Sequence, residues 1–143
     1  MRYLIIVIIS AVSFSSLFAQ EPGDPRKRIH EEKVAFFNKR LKLSKDEANK
    51  FWPVYNDFQS RKNKIANEKR NLMRYYSENA TNMSDKEITE TLNKYIAFEK
   101  QETELLVTYN EKFRAILPDE KVLKIYVTEV QFKDYLLKQL RTK

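Results

Sequence analysis

The chain has 143 residues, with 27 Lys and Arg against 20 Asp and Glu, a formal net charge of +7, one His, one Gly and no Cys. That length suits one modest domain, and the lack of Cys excludes disulfides and thiolate chemistry, so stability has to come from helix packing or association. Gly23 is the only glycine and no proline lies between Pro53 and Pro118, which removes the residues that tight turns between strands require and points to an all-α fold.

Met1 and Arg2 precede an apolar run from Leu4 to Val12, and small residues then lead to Ala19. The pattern predicts a signal peptide over residues 1–19, cut after Ala19, because the apolar stretch is too short to span a bilayer comfortably. An uncleaved anchor is the alternative. Cleavage removes only Arg2 among the charges and leaves 26 basic against 20 acidic residues, a net charge of +6. No other run is apolar enough for a span, so the expectation is a soluble periplasmic protein with no membrane span in its mature form. Residues 20–25 read as a disordered leader and 26–143 as a single helical domain.

A first helix, about 26–42, carries Ile29, Val34, Phe37 and Leu41 on one stripe with Phe36 beside it. Ser44 with Glu47, and Ser84 with Glu87, are capping boxes, in which hydroxyl and carboxylate each satisfy a free backbone donor. They set long helices over about 44–77 and 84–116. Pro53, inside the second helix, predicts a bend near Trp52. Pro118, at a first-turn position ahead of Asp119 and Glu120, opens a fourth helix over about 118–141. Its apolar side reads as Val122, Ile125, Tyr126, Val130, Leu137 and Leu140.

The two long helices mirror one another. Phe51, Tyr55, Phe58, Lys62, Ile65, Lys69, Leu72 and Tyr76 pair in reverse order with Phe113, Tyr109, Leu106, Glu102, Glu99, Tyr95, Leu92 and Ile88, each pair equidistant from Asn82. This is the signature of an antiparallel αα-hairpin with one buried seam, hence of an elongated molecule. The mirror sets Lys62 opposite Glu102 as the pair that fixes register, since a slipped pairing would leave charges against apolar neighbours.

Arg61, Lys62, Lys64, Lys69, Arg70 and Arg74 face a single acid, Glu68, within their own segment. A solvated helix face explains such a run. A sharper reading is a surface that attracts acidic or partly unfolded chains, with Arg61, Lys64, Arg70 and Arg74 beside Trp52 as client contacts. Phe36, Tyr75 and Phe98 join Trp52 as candidate exposed apolar contacts, since they lie off the stripes. Export and the absence of a nucleic-acid-binding motif argue against nucleic acid.

His30, the single histidine, is followed by Glu31 and Glu32, which point to other faces of a helix, so one chain offers no metal site and no cofactor is expected. Only two chains pairing through His30 give a route to zinc. Asn79-Ala80-Thr81 and Asn82-Met83-Ser84 have the form of glycosylation acceptors, a form common by chance in polar loops. No nucleophile triad or glycine-rich phosphate loop can be assembled, and an enzyme is not expected.

Leu43-Ser44-Lys45-Asp46-Glu47 followed by Phe51-Trp52-Pro53-Val54-Tyr55 resembles the first repeat of the Spy/CpxP-like periplasmic proteins, whose signature is Leu-Thr-x-x-Gln. Leu117-Pro118-Asp119-Glu120-Lys121 looks like the second repeat, keeping only Leu117 of that signature. The Phe-Trp-Pro-x-Tyr form is similar to small exported proteins of Bacteroidetes-type bacteria labelled sensors of extracytoplasmic-function sigma factors. The resemblance implies a four-helix cradle, often a homodimer, that binds unfolded or misfolded envelope proteins without ATP. The alternative it implies is an accessory regulator that reports envelope stress to a signalling partner. Histidine-rich ends, through which some relatives bind metals, are missing here.

Overall fold

The structure, a computed structural model, describes residues 24–141. The expected signal peptide and most of the expected leader lie outside the described residues. The fold is all-α: α1 spans Pro25–Leu41, α2 Lys45–Asn79, α3 Asp85–Arg114 and α4 Asp119–Arg141, with a short 3-10 turn, Ala80–Asn82, between α2 and α3.

The leader ends earlier than the sequence suggests. Pro25 is the first residue of α1, and the Asp24 carbonyl accepts from Arg28 N–H at 3.1 Å. A proline fits there because its missing N–H is one of the donors a helix start leaves unused. Pro118 stands one place before α4, its carbonyl accepting from Lys121 and Val122. It caps that helix rather than beginning it.

Both capping boxes are formed. Glu47 N–H donates to Ser44 Oγ at 3.2 Å while Ser44 N–H donates to Glu47 Oε2 at 2.7 Å, and Ser84 with Glu87 repeats the exchange at 3.4 and 2.8 Å. The exposed Pro53 lies within α2, which continues through it. Between α1 and α2 the chain turns at Lys42, whose φ of 49° is left-handed, and Leu43 N–H returns to the Asn38 carbonyl.

The core is aromatic and sits at one end. Phe37, Leu41, Phe51, Tyr55, Phe58, Tyr109, Phe113, Leu117, Val122, Ile125 and Phe132 form one buried cluster contributed by every helix. Phe51 meets Phe113 with ring centroids 5.7 Å apart, Phe58 meets Tyr109 at 5.3 Å, and further along Lys69 Nζ stands 5.8 Å from the Tyr95 ring. These contacts run in opposite order along α2 and α3, so the two helices lie antiparallel. α1 and α4 pack on each other and on this base through Phe36, Phe37 and Phe132.

Beyond Phe58 and Tyr109 the α2–α3 pair continues as an arm. There Ile65, Leu72 and Tyr95 are half-buried, while Tyr76, Ile88 and Leu92 are exposed. The expected buried seam therefore holds at the base and opens along the arm, because two helices alone can cover only a narrow strip between them.

α4 keeps the first half of the expected face, with Val122 and Ile125 buried and Tyr126 half-buried, and departs from the second. The residues turned inward are Val122, Ile125, Thr128 and Phe132, whereas Val130, Leu137 and Leu140 are exposed. The inward stripe steps through Val122, Ile125, Glu129, Phe132 and Leu136, and the carboxylate in its middle hides it from a reading by hydrophobicity.

Candidate functional site

At the base, Glu129 of α4 joins that helix to α2. It accepts from the Tyr55 hydroxyl at 2.9 Å, from the Gln59 amide and from Lys62 Nζ at 3.5 Å. Lys33 of α1 stands over the rings of Phe37, Tyr55 and Phe132, 4.9 Å from the Tyr55 centroid. Burial lowers the Lys33 pKa from the usual lysine range, with nearby Glu129 opposing. The same burial, with Glu129 beside it, raises that of Tyr55. A half-buried acid that gathers hydroxyl, amide and ammonium groups is a clasp between helices.

The two segments that carry the family resemblance meet here. Leu117 is buried, Leu43 is half-buried, and Lys121 Nζ donates to Glu47 Oε2 at 2.7 Å and to the Lys42 carbonyl at 3.0 Å. Glu47 thus caps α2 and ties it to α4. The hydrogen bond from Lys121, followed by that from Ser44, holds the Glu47 carboxyl below its ordinary range.

Trp52 belongs to this base. Its ring lies 5.2 Å from Phe51, 5.5 Å from Tyr55 and 5.9 Å from Phe37, and Nε1–H donates to Asn38 Oδ1 at 3.1 Å. A tryptophan with its polar edge satisfied and its faces packed is an anchor for α1. Trp52, expected as a client contact, is half-buried among these rings. Phe36 is likewise committed to Phe132 and Tyr135, whereas Tyr75 is exposed on the arm.

The register pair also changes. Lys62 reaches Glu129 of α4, and Glu102 pairs with Lys69 at 2.9 Å, as does Glu99 at 2.9 Å. Lys69 with Glu99 and Glu102, rather than Lys62 with Glu102, locks α2 to α3. Lys62 was available to α4 because that helix covers the base, a contact the two-helix mirror does not contain. The hydrogen bond from Lys69 pulls Glu99 below the usual carboxylate range, and those two carboxylates hold Lys69 above the usual lysine range.

The four basic candidates divide between two grooves. Arg61 and Lys64 line an open groove of about 480 Å³ with Lys112, floored by Ile65, Leu105 and Tyr109. Across it the Tyr109 hydroxyl donates to Asp57, which also takes Arg61 Nε at 3.0 Å. The first of these bonds does most to hold the Asp57 carboxyl below its ordinary range. Arg70 and Arg74 line a second groove, also about 480 Å³, with Lys69, Met73 and Tyr95.

A third groove, which the sequence reading did not single out, is the most apolar. Met73, Tyr76, Ile88, Thr91, Leu92 and Tyr95 enclose about 270 Å³ near the tip of the arm. Met73 and Tyr95 line it and the Arg70–Arg74 groove alike. Apolar floor and basic rim are therefore one continuous surface. Its signal in the sequence was the seam itself, whose apolar residues lack a third helix to cover them.

Among the described residues no group of three or more His, Cys, Asp or Glu side chains is placed to hold a metal, and no helix is long and apolar enough to cross a membrane. His30 is exposed on α1. No protein-family model, curated protein or solved structure matches the chain.

Proposed function

We propose that this is an ATP-independent, chaperone-like periplasmic protein that holds unfolded or misfolded envelope proteins on its arm. The observation that carries the reading is the amphiphilic surface in which the groove of Met73, Tyr76, Ile88, Leu92 and Tyr95 adjoins Arg70 and Arg74. Non-native chains expose apolar side chains and backbone together, and an open apolar strip takes them without demanding one shape. The basic rim speeds encounter with acidic segments. Periplasmic placement rests on the leading sequence, whose charged start and short apolar run suit export.

The test adds purified protein, without nucleotide, to several unrelated aggregating clients while salt is varied. Suppression of aggregation that weakens as salt rises is the expected result, since exposed charges are screened beyond about 10 Å at 0.1 M salt. Failure to protect any client at several-fold excess overturns the proposal. One tight, saturable partner with no general protection assigns the protein to signalling instead.

A further inference from the structure

The apolar groove of the arm has two unlike walls. Arg70 and Arg74 of α2 stand along one side, and the exposed Leu92 of α3, with Ile96 one turn further on, along the other. Arg61 is paired with Asp57, and Lys69 with Glu99 and Glu102. Arg70 and Arg74 differ: Arg70 donates to Asn67 and Arg74 to Asn71 Oδ1 at 2.6 Å, both neutral amides, and among the described residues neither guanidinium has a carboxylate partner.

The groove also selects the backbone it accepts. Its lining offers a guest only the tyrosine hydroxyls and the buried Thr91, and α2 and α3 use their own backbone groups within their helices. An extended chain pressed into such a lining leaves N–H and C=O groups without partners, whereas a helix brings them already paired. The base shows the pattern at work. There α4 lies against α2 with Val122, Ile125 and Phe132 buried, and Glu129 in the same stripe accepts from Lys62 Nζ at 3.5 Å. An apolar stripe with an acid set against a cation of α2 is the kind of helix this hairpin already holds.

We propose that the groove of the arm takes an acidic amphipathic helix of the client, its apolar stripe on Tyr76, Leu92 and Tyr95 and its carboxylates on Arg70 and Arg74. This inference rests on the holding role proposed above and names the kind of segment that is held. From Ile88 to Ile96 the wall of α3 runs about 12 Å at 1.5 Å per residue, a seat for two to three helical turns. Arg70 and Arg74 are one turn apart, so client acids at i and i+4 meet both.

Three labelled peptides of about 14 residues, titrated with the full-length protein at about 0.15 M salt and followed by fluorescence anisotropy, test the proposal. One has leucines at i, i+3, i+4 and i+7 with glutamates along one flank. The second is a scramble of the same composition without that period, and the third carries lysines for the glutamates. The first is expected to bind about tenfold tighter than either of the others and to gain helical circular-dichroism signal on binding. Arg70→Glu combined with Arg74→Glu should reverse the charge preference, weakening the glutamate peptide about tenfold and strengthening the lysine peptide. Both arginines are exposed, so the helical signal of that variant stays unchanged. Lys45→Glu combined with Lys50→Glu makes the same change of charge at exposed positions of the base and leaves the preference as it was. Equal binding of the scramble, a charge preference indifferent to Arg70 and Arg74, or self-association that Leu92→Glu abolishes, which gives the groove to a second copy, would each overturn the proposal. Aggregation assays on the same preparations separate it from the reading beneath it. Clients protected without preference for the helical acidic peptide remove this inference alone, whereas no protection and no peptide binding remove both.

Discussion

The base and the arm are built from the same two helices, yet Phe51 and Phe113 are fully enclosed at the base while Leu92 and Ile96 each keep 57% of their surface in solvent on the arm. What separates them is a third layer. α1 and α4 lie over the base and bring Phe37, Val122, Ile125 and Phe132 onto the seam. On the arm the inner positions have only each other and the bridge from Lys69 to Glu99 and Glu102. Apolar spacing sets which residues face inward, but the number of helices around them decides whether water leaves.

The largest effect that sharpens this contrast is truncation of one residue in each region. Phe113→Ala should cost about 3–5 kcal/mol by opening a cavity among fixed rings, whereas Leu92→Ala should cost less than about 1 kcal/mol. Denaturant unfolding followed by circular dichroism measures both. Equal costs would erase the distinction between base and arm. Next in size, Glu129→Ala leaves the Tyr55 hydroxyl and Gln59 amide without their acceptor and should cost about 1–3 kcal/mol. The same unfolding experiment reads it, and a neutral result would show that water replaces the clasp.

Acid is expected to act on both regions through carboxylates held below their ordinary values. Glu47 is lowered by Lys121, Asp57 by Tyr109 and then Arg61, and Glu99 by Lys69. Each folded value lies below the unfolded one, so the stabilisation is fully present above an unfolded value of about 4.5 for the glutamates and is lost as pH falls through the folded value. The unfolding midpoint should be flat from neutral pH to about 5 and decline below about 4. A midpoint that rises in acid would contradict the sign.

The smallest effect concerns the junction that sets the base. Lys42 sits at a φ of 49°, where a side chain crowds the backbone. Lys42→Gly should therefore raise stability by up to about 1 kcal/mol while leaving the Lys42 carbonyl contact to Lys121 available. A loss of stability would mean that the lysine side chain contributes more than its conformation costs.

Much of the base was legible in the chain because its signals are local. Ser44 with Glu47 and Ser84 with Glu87 announce the helix starts, and Phe51 and Phe113 stand where reversal about Asn82 sets them. What escaped depends on the third layer. Trp52 reads as an exposed aromatic until α1 supplies Asn38 and Phe37. Lys62 reads as the partner of Glu102 until α4 supplies Glu129. That glutamate breaks the inner stripe of α4, so the reading follows the stripe through Val122 and Ile125 and then passes to the exposed Val130, Leu137 and Leu140. The division of the four basic candidates between two grooves follows from the angle each takes around α2, which a run of charges does not display. The apolar groove beside Arg70 and Arg74 could not be told from core by spacing alone.

Hydrogen exchange with and without an unfolded client puts the division of labour to its most direct test. The account predicts that client binding slows exchange over residues 69–76 and 88–95 while α1 and the core around Phe113 are unchanged. Protection confined to the base, or no protection anywhere with a client that the protein keeps soluble, would contradict it.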